Sequence, residues 1–146
     1  MSDDAAKRRA ERAENAAYHA DAQRRRSEQE SAKAQLLVDD FVARATQAGV
    51  ATEELTVRPW SGAARYRTGV HGWYLRRDRS VGVSADGGYY VLVVAPVRFG
   101  RWRTVHVEPT PPPLQVGQGA RDGESVALDV LLDMRLAWGD GQATPS

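Results

Sequence analysis

The chain has no cysteine. That excludes a disulfide framework and any thiolate metal site. Lysine is almost missing, since eighteen of the twenty basic side chains are arginine. No apolar run is long enough to cross a bilayer. The first residues, Met1-Ser2-Asp3-Asp4, are acidic and lack the apolar stretch of a secretory signal. A soluble, cytoplasmic protein without a membrane partner is expected. A catalytic constellation is missing too. His19, His71 and His106 fall in three different predicted elements, at no metal-ligand spacing. Gly82-Val83-Ser84-Ala85-Asp86 departs from a nucleophile elbow at its last place, where glycine is needed. Gly117 to Gly123 precedes a predicted helix as a phosphate loop would, but Asp122 and Glu124 place negative charge where the phosphate would sit. No nucleophile, base and orienting group coincide, so a non-enzyme without cofactor or metal is expected.

What is present is charge sorted by position. The 146 residues carry a net charge of +1. Residues 1–50 are neutral, with nine basic and nine acidic side chains. Residues 51–107 hold nine arginines and no lysine against Glu53, Glu54, Asp78 and Asp86, a net of +5. Residues 108–146 stand at −4. The basic middle also holds most of the aromatics. Arginine interleaved with aromatic rings suits a surface that grips phosphates and stacks bases. It also suits the wet side of an ordinary antiparallel sheet, with the acidic C-terminal part packed nearby.

The length predicts one domain with extensions. Ala, Arg, Glu and Gln dominate residues 4–48 and predict a long helix, ended by Gly49. Spacings of four and three recur through Ala6, Ala10, Ala13, Ala17, Ala20, Arg24, Ser27, Ser31, Ala34, Val38, Phe41, Ala45 and Ala48, the pattern of a coiled-coil seam. Its early members are small and bury little area. Residues 1–33 are therefore expected to project as a charged helical arm, available for a partner protein or a second copy. Residues 34–138 form the α+β domain, with residues 34–48 docked on it.

Within that domain, Leu55–Arg58, Trp73–Arg77, Ser80–Ser84, Tyr89–Ala95 and Trp102–Glu108 read as strands. They make a four- to five-stranded antiparallel sheet. Asp86-Gly87-Gly88 marks a hairpin. Residues 109–124 are a Pro/Gly-rich loop that begins as polyproline II. Residues 125–138 predict a C-terminal helix packed on the sheet, with Val126, Val130, Leu131, Met134 and Trp138 on its apolar face. Residues 139–146 read as a flexible tail.

Two resemblances carry further expectations. Trp73-Tyr74-Leu75 repeats the tripeptide that names the WYL domains of bacterial transcriptional regulators, and Arg101-Trp102-Arg103-Thr104-Val105 is similar to their later Arg-bearing strand. That resemblance implies a small β-barrel-like sensor of ligands or nucleic acid. Residues 34–137 look like small uncharacterised actinobacterial proteins. The residues that carry this likeness are Gly72–Ser80, the Asp86–Leu92 hairpin, and Pro111–Leu114 through Gly123-Glu124-Ser125. It implies an actinobacterial cytoplasm and transfers no functional residue.

The sequence thus predicts a protein-binding or adaptor module that uses the helical arm and an Arg/aromatic sheet surface. The candidate surface is Arg65, Arg67, Trp73, Tyr74, Arg76, Arg77, Arg79, Arg101, Trp102, Arg103 and Arg121. The alternative is nucleic-acid binding, to RNA, ribosome or DNA, through the same residues: arginines on phosphates, with Trp73, Tyr74 and Trp102 stacking.

Overall fold

The computed structural model describes residues 2–117 and 125–139. Arg121 and almost all of the predicted tail lie outside them. The order is α1 (Ser2–Gln47), β1 (Glu53–Pro59), β2 (Tyr66–Tyr74), β3 (Val81–Ser84), β4 (Tyr89–Val91), β5 (Val93–Val94), a 3-10 turn (Gly100–Trp102), β6 (Gln115–Gly117), β7 (Ser125–Ala127) and α2 (Leu128–Trp138). This is the expected α+β arrangement of helix, five-stranded sheet and helix. A two-stranded ribbon, β6 with β7, lies inside the stretch predicted as loop and the start of the last helix.

No glycine or proline interrupts residues 2–48, so nothing in the chain breaks α1 before Gly49. Gly49 stops it in the left-handed conformation, with φ 73°. The Gly49 N–H bonds Thr46 O at 3.1 Å and the Val50 N–H bonds Ala45 O at 3.0 Å, the paired bonds of a Schellman end. Four seam members, Ala34, Val38, Phe41 and Ala45, are completely buried. The next, Ala48, is exposed, because the helix is already ending. Residues 2–30 bury nothing: three are partly covered and the rest exposed. At about 1.5 Å per residue this arm is roughly 44 Å long.

The sheet order is β4-β3-β2-β1-β5. β4 and β5 stand at its opposite ends, yet only Leu92 separates them in the chain. Residues 89–94 are therefore one bent strand that pairs with β3 on one side and β1 on the other. Leu92 joins the two halves: its N–H donates to Ser80 O at 2.8 Å and its carbonyl accepts Arg58 N–H at 2.9 Å. The sheet closes on itself because this one strand serves both of its ends. The β1–β5 pairing is parallel, a departure from the all-antiparallel expectation. Asp86-Gly87-Gly88 does turn the β3–β4 hairpin, with Gly87 at φ 94°.

Closure gives the sheet two buried faces. Leu55, Val57, Tyr66, Tyr74, Tyr90, Leu92 and Val105 pack inside. Trp73, Leu75, Val81, Val83 and Tyr89 face outward, beneath α1, α2 and the β6–β7 ribbon. Phe41 meets Trp73 edge-on, at 5.6 Å and 87°. The buried positions of α2 are Leu128, Leu131, Leu132 and Arg135, while Val130 and Met134 are about half exposed. The apolar face expected of this helix is thus rotated. Arg135 takes an inside place because its Nε–H donates to Tyr74 O at 2.7 Å and its Nη1–H to Gly139 O at 3.2 Å. Asp133 of α2 pairs with Arg44 of α1 at 3.1 Å, so the acidic helix meets α1.

The strand expected over Trp102–Glu108 is not formed. One isolated bridge, Arg67 with Thr104, stands in its place. Residues 97–107 instead run as a non-repeating layer that sends Val97, Val105 and Val107 against the interior cluster.

Candidate binding surfaces

The eleven candidate residues do not share one surface. Trp73 and Tyr74 alternate along β2 and are buried on its two faces, at 1 % and 3 % exposure. Neither ring can stack on a base. The Trp73 indole N–H donates to Val50 O at 3.0 Å, and the Tyr74 hydroxyl accepts Thr56 N–H at 2.9 Å. Both polar ends are spent on the fold.

Most of the sheet arginines are spent likewise. Arg65 donates from Nε to Thr56 Oγ1 and from Nη2 to Thr56 O, both at 2.8 Å. Arg67 forks onto Glu54, with Nη2 at 3.0 Å from Oε1. That bond, with a second from the Gly69 N–H, holds the Glu54 carboxyl below the usual carboxylate range. Arg76 donates to Gly117 O at 3.0 Å and ties the ribbon to the sheet. Arg77 lies over the Trp138 ring at 4.9 Å. Arg79 lies over the Tyr74 ring at 5.6 Å, from a left-handed backbone with φ 60°. Arg121 lies outside the described residues.

Arg101, Trp102 and Arg103 have a different setting. They are exposed, and Trp102 is 77 % exposed. Two residues absent from the predicted surface, Arg98 and Phe99, join them. The Phe99 ring stands 6.0 Å from Trp102, and Arg98 lies over Phe99 at 5.1 Å. None of the three loop arginines has an ion-pair partner among the described residues. The loop is nonetheless built. Gly100 lies flat against Tyr66, where a Cβ would come within 2.8 Å of the ring. The Val105 N–H donates to Arg67 O at 2.7 Å. A depression of about 210 Å³ lies among Arg67, Arg101, Trp102, Arg103 and Thr104. The sequence signal for this loop was Arg98-Phe99-Gly100-Arg101-Trp102-Arg103, three arginines and two rings with no carboxylate. A strand over Trp102–Glu108 takes only Trp102 and Arg103 of these six residues and so divides the run.

The second exposed feature is the arm. Its surface is lined by its own ion pairs, Arg24 with Asp21 and Glu28, and Arg25 with Asp21. The seam residues Ala6, Ala10, Ala13, Ala17 and Ala20 continue the stripe that Ala34, Val38, Phe41 and Ala45 turn into the body. Among the described residues, no helix is long and apolar enough to cross a membrane, and no group of three or more His, Asp or Glu could hold a metal ion. No protein-family model, curated protein or solved structure matches this chain.

Proposed function

We propose that this protein is a non-enzymatic binding module of the cytoplasm that holds a partner protein through the α1 arm. One observation carries this: residues 2–30 stay helical for roughly 44 Å and bury no side chain. Among the described residues the body reaches them only near their end, where Pro111 and Pro112 face Arg24, Ser27 and Glu28 and the Leu114 N–H donates to Glu30. Packing of an amphipathic face supplies most helix stability in proteins. Here the face exists, as an alanine stripe, and no described residue of the chain covers it at Ala6, Ala10, Ala13, Ala17 and Ala20. Small side chains let a second helix approach to about 8 Å between axes. A photo-crosslinking residue at Ala13 or Ala17, introduced in the native cell, tests this. The same group at Asn15, about 200° around the helix from Ala13, is the control. Discrete protein adducts from Ala13 and Ala17 but not from Asn15 are expected. Equal labelling from both faces, or none, contradicts the proposal.

The 98–103 loop favours a second function, binding of a single nucleic-acid strand. Arg98, Arg101 and Arg103 would contact phosphates while Phe99 and Trp102 stack on bases, each stack contributing about 1–3 kcal/mol. Fluorescence anisotropy with labelled single-stranded RNA, single-stranded DNA and duplex DNA across a salt series tests it. Binding that weakens steeply with salt, and a shallower slope in Arg101→Ala/Arg103→Ala, are expected. No binding at low salt removes this function.

A further inference from the structure

Where the bent strand 89–94 leaves β3 and joins β1, a cavity of about 500 Å³ opens on the outside of the closed sheet. Its floor is Val81, Val91 and Val93, and its wall is the stiff Pro111–Pro113 segment. That volume falls within the range of small-molecule sites, and the lining has the usual character of one, mostly apolar with a few polar groups.

Two of those polar groups are unused by the fold. Tyr89 lines the cavity and is only 3 % exposed, yet its hydroxyl has no hydrogen-bond partner among the described residues. The ring is buried, but the hydroxyl oxygen is not sealed from solvent, so it is open to a ligand in the cavity. Tyr74, by contrast, bonds Thr56 from the other face. Burial pushes the Tyr89 phenol up to about 12, partly offset by nearby Arg76. Arg58 also lines the cavity. It has no ion-pair partner among the described residues, and its one hydrogen bond, to Gly62 O, is long at 3.4 Å. The acid in the wall, Asp78, has one oxygen committed to the fold. Its Oδ1 accepts the Ser80 N–H at 3.0 Å and the Ser80 hydroxyl at 2.6 Å, and it lies 3.6 Å from Arg76 Nε.

We infer that this cavity binds a small organic acid with an apolar body, its carboxylate held by Arg58 and the Tyr89 hydroxyl and its body against Val81, Val91 and Val93. A guanidinium is donor-only and positively charged, and a neutral phenol can donate beside it, so the complement is an acceptor with negative charge. The apolar floor and proline wall favour an anion with an apolar body over a small hydrophilic one.

Ligand-observed NMR and calorimetric titration of the full chain with 2-naphthoate, 4-phenylbutyrate and octanoate test the inference, with 2-naphthylmethanol as the uncharged control. Saturable binding of at least one acid is expected, with the alcohol about tenfold weaker or worse. Arg58→Gln and Tyr89→Phe should each weaken the acid by about tenfold. Tyr89→Phe keeps its ring in the core and breaks no internal bond, so its unfolding midpoint at neutral pH should match the parent. No saturable binding by any of the three acids overturns the inference. So does equal binding of the alcohol, or undiminished binding in either variant.

Discussion

Residues 34–47 and residues 2–30 belong to one unbroken helix and one alternating seam, yet the first stretch buries four side chains completely and the second buries none. Pattern is shared, so pattern alone does not decide which part of a helix is covered. Side-chain size does. Val38 and Phe41 reach the outer face of the sheet and meet Trp73 there. The arm places alanine at Ala6, Ala10, Ala13, Ala17 and Ala20 and polar residues at Arg24 and Ser27, and a methyl group contributes little burial. The arm is sustained by propensity, by continuation from an already formed helix, and by ion pairs such as Arg24 with Asp21.

The largest expected effect lies in the docked half. Phe41→Ala empties the contact with Trp73 and should lower unfolding free energy by about 3–5 kcal/mol in urea titrations. A smaller loss would show that α1 is held by something other than this seam. Gly49→Ala comes next. Nothing lies within 4 Å of the added Cβ, so only the left-handed backbone is strained. The expected loss is about 1–2 kcal/mol, and Gly49→Asn should recover part of it.

A smaller effect separates the halves by pH. Tyr89 belongs to the core beneath α1, and burial raises its phenol from the ordinary 10 to about 12. The fold prefers the neutral form, so this contribution is complete below pH 10 and is lost as pH rises toward 12. Stability should fall across that window, and Tyr89→Phe should remove the part of the fall due to this group. Arm ion pairs take no part in this. The smallest global effect belongs to the arm. Ala13→Gly costs about 1 kcal/mol of local helix propensity. It should reduce far-ultraviolet helical signal while leaving the cooperative unfolding midpoint unchanged.

Much of this layout was legible in the sequence because local chemistry and tertiary demand agreed. Gly49 ends α1, Asp86-Gly87-Gly88 turns the hairpin, and Ala34, Val38, Phe41 and Ala45 are the seam that docks. Closure of the sheet was not legible. Alternation along Trp73-Tyr74 suggests one wet face, but residues 89–94 bend at Leu92 and bring both faces into contact with something. Trp102–Glu108 alternates like a strand, and an extended segment with one bridge satisfies the same pattern as a ladder. The burial of Arg135 was not legible either, because its partners, the carbonyls of Tyr74 and Gly139, carry no side-chain signature. The candidate surface failed to assemble for the same reason. Arg65 and Arg76 are used up by backbone carbonyls, whereas the loop arginines, with no carboxylate beside them, stay available. Phe99 and Arg98 were reachable from composition once the run 98–103 is taken as a unit.

Residue-resolved amide hydrogen exchange on the dilute full chain tests the contrast between the two halves of α1 most directly. Backbone amides of residues 34–47 should exchange only through global unfolding, and those of residues 2–30 orders of magnitude faster through local fraying. Protection of residues 2–30 equal to that of the docked half, in a dilute monomer, would contradict the claim that only the docked half of α1 is buried.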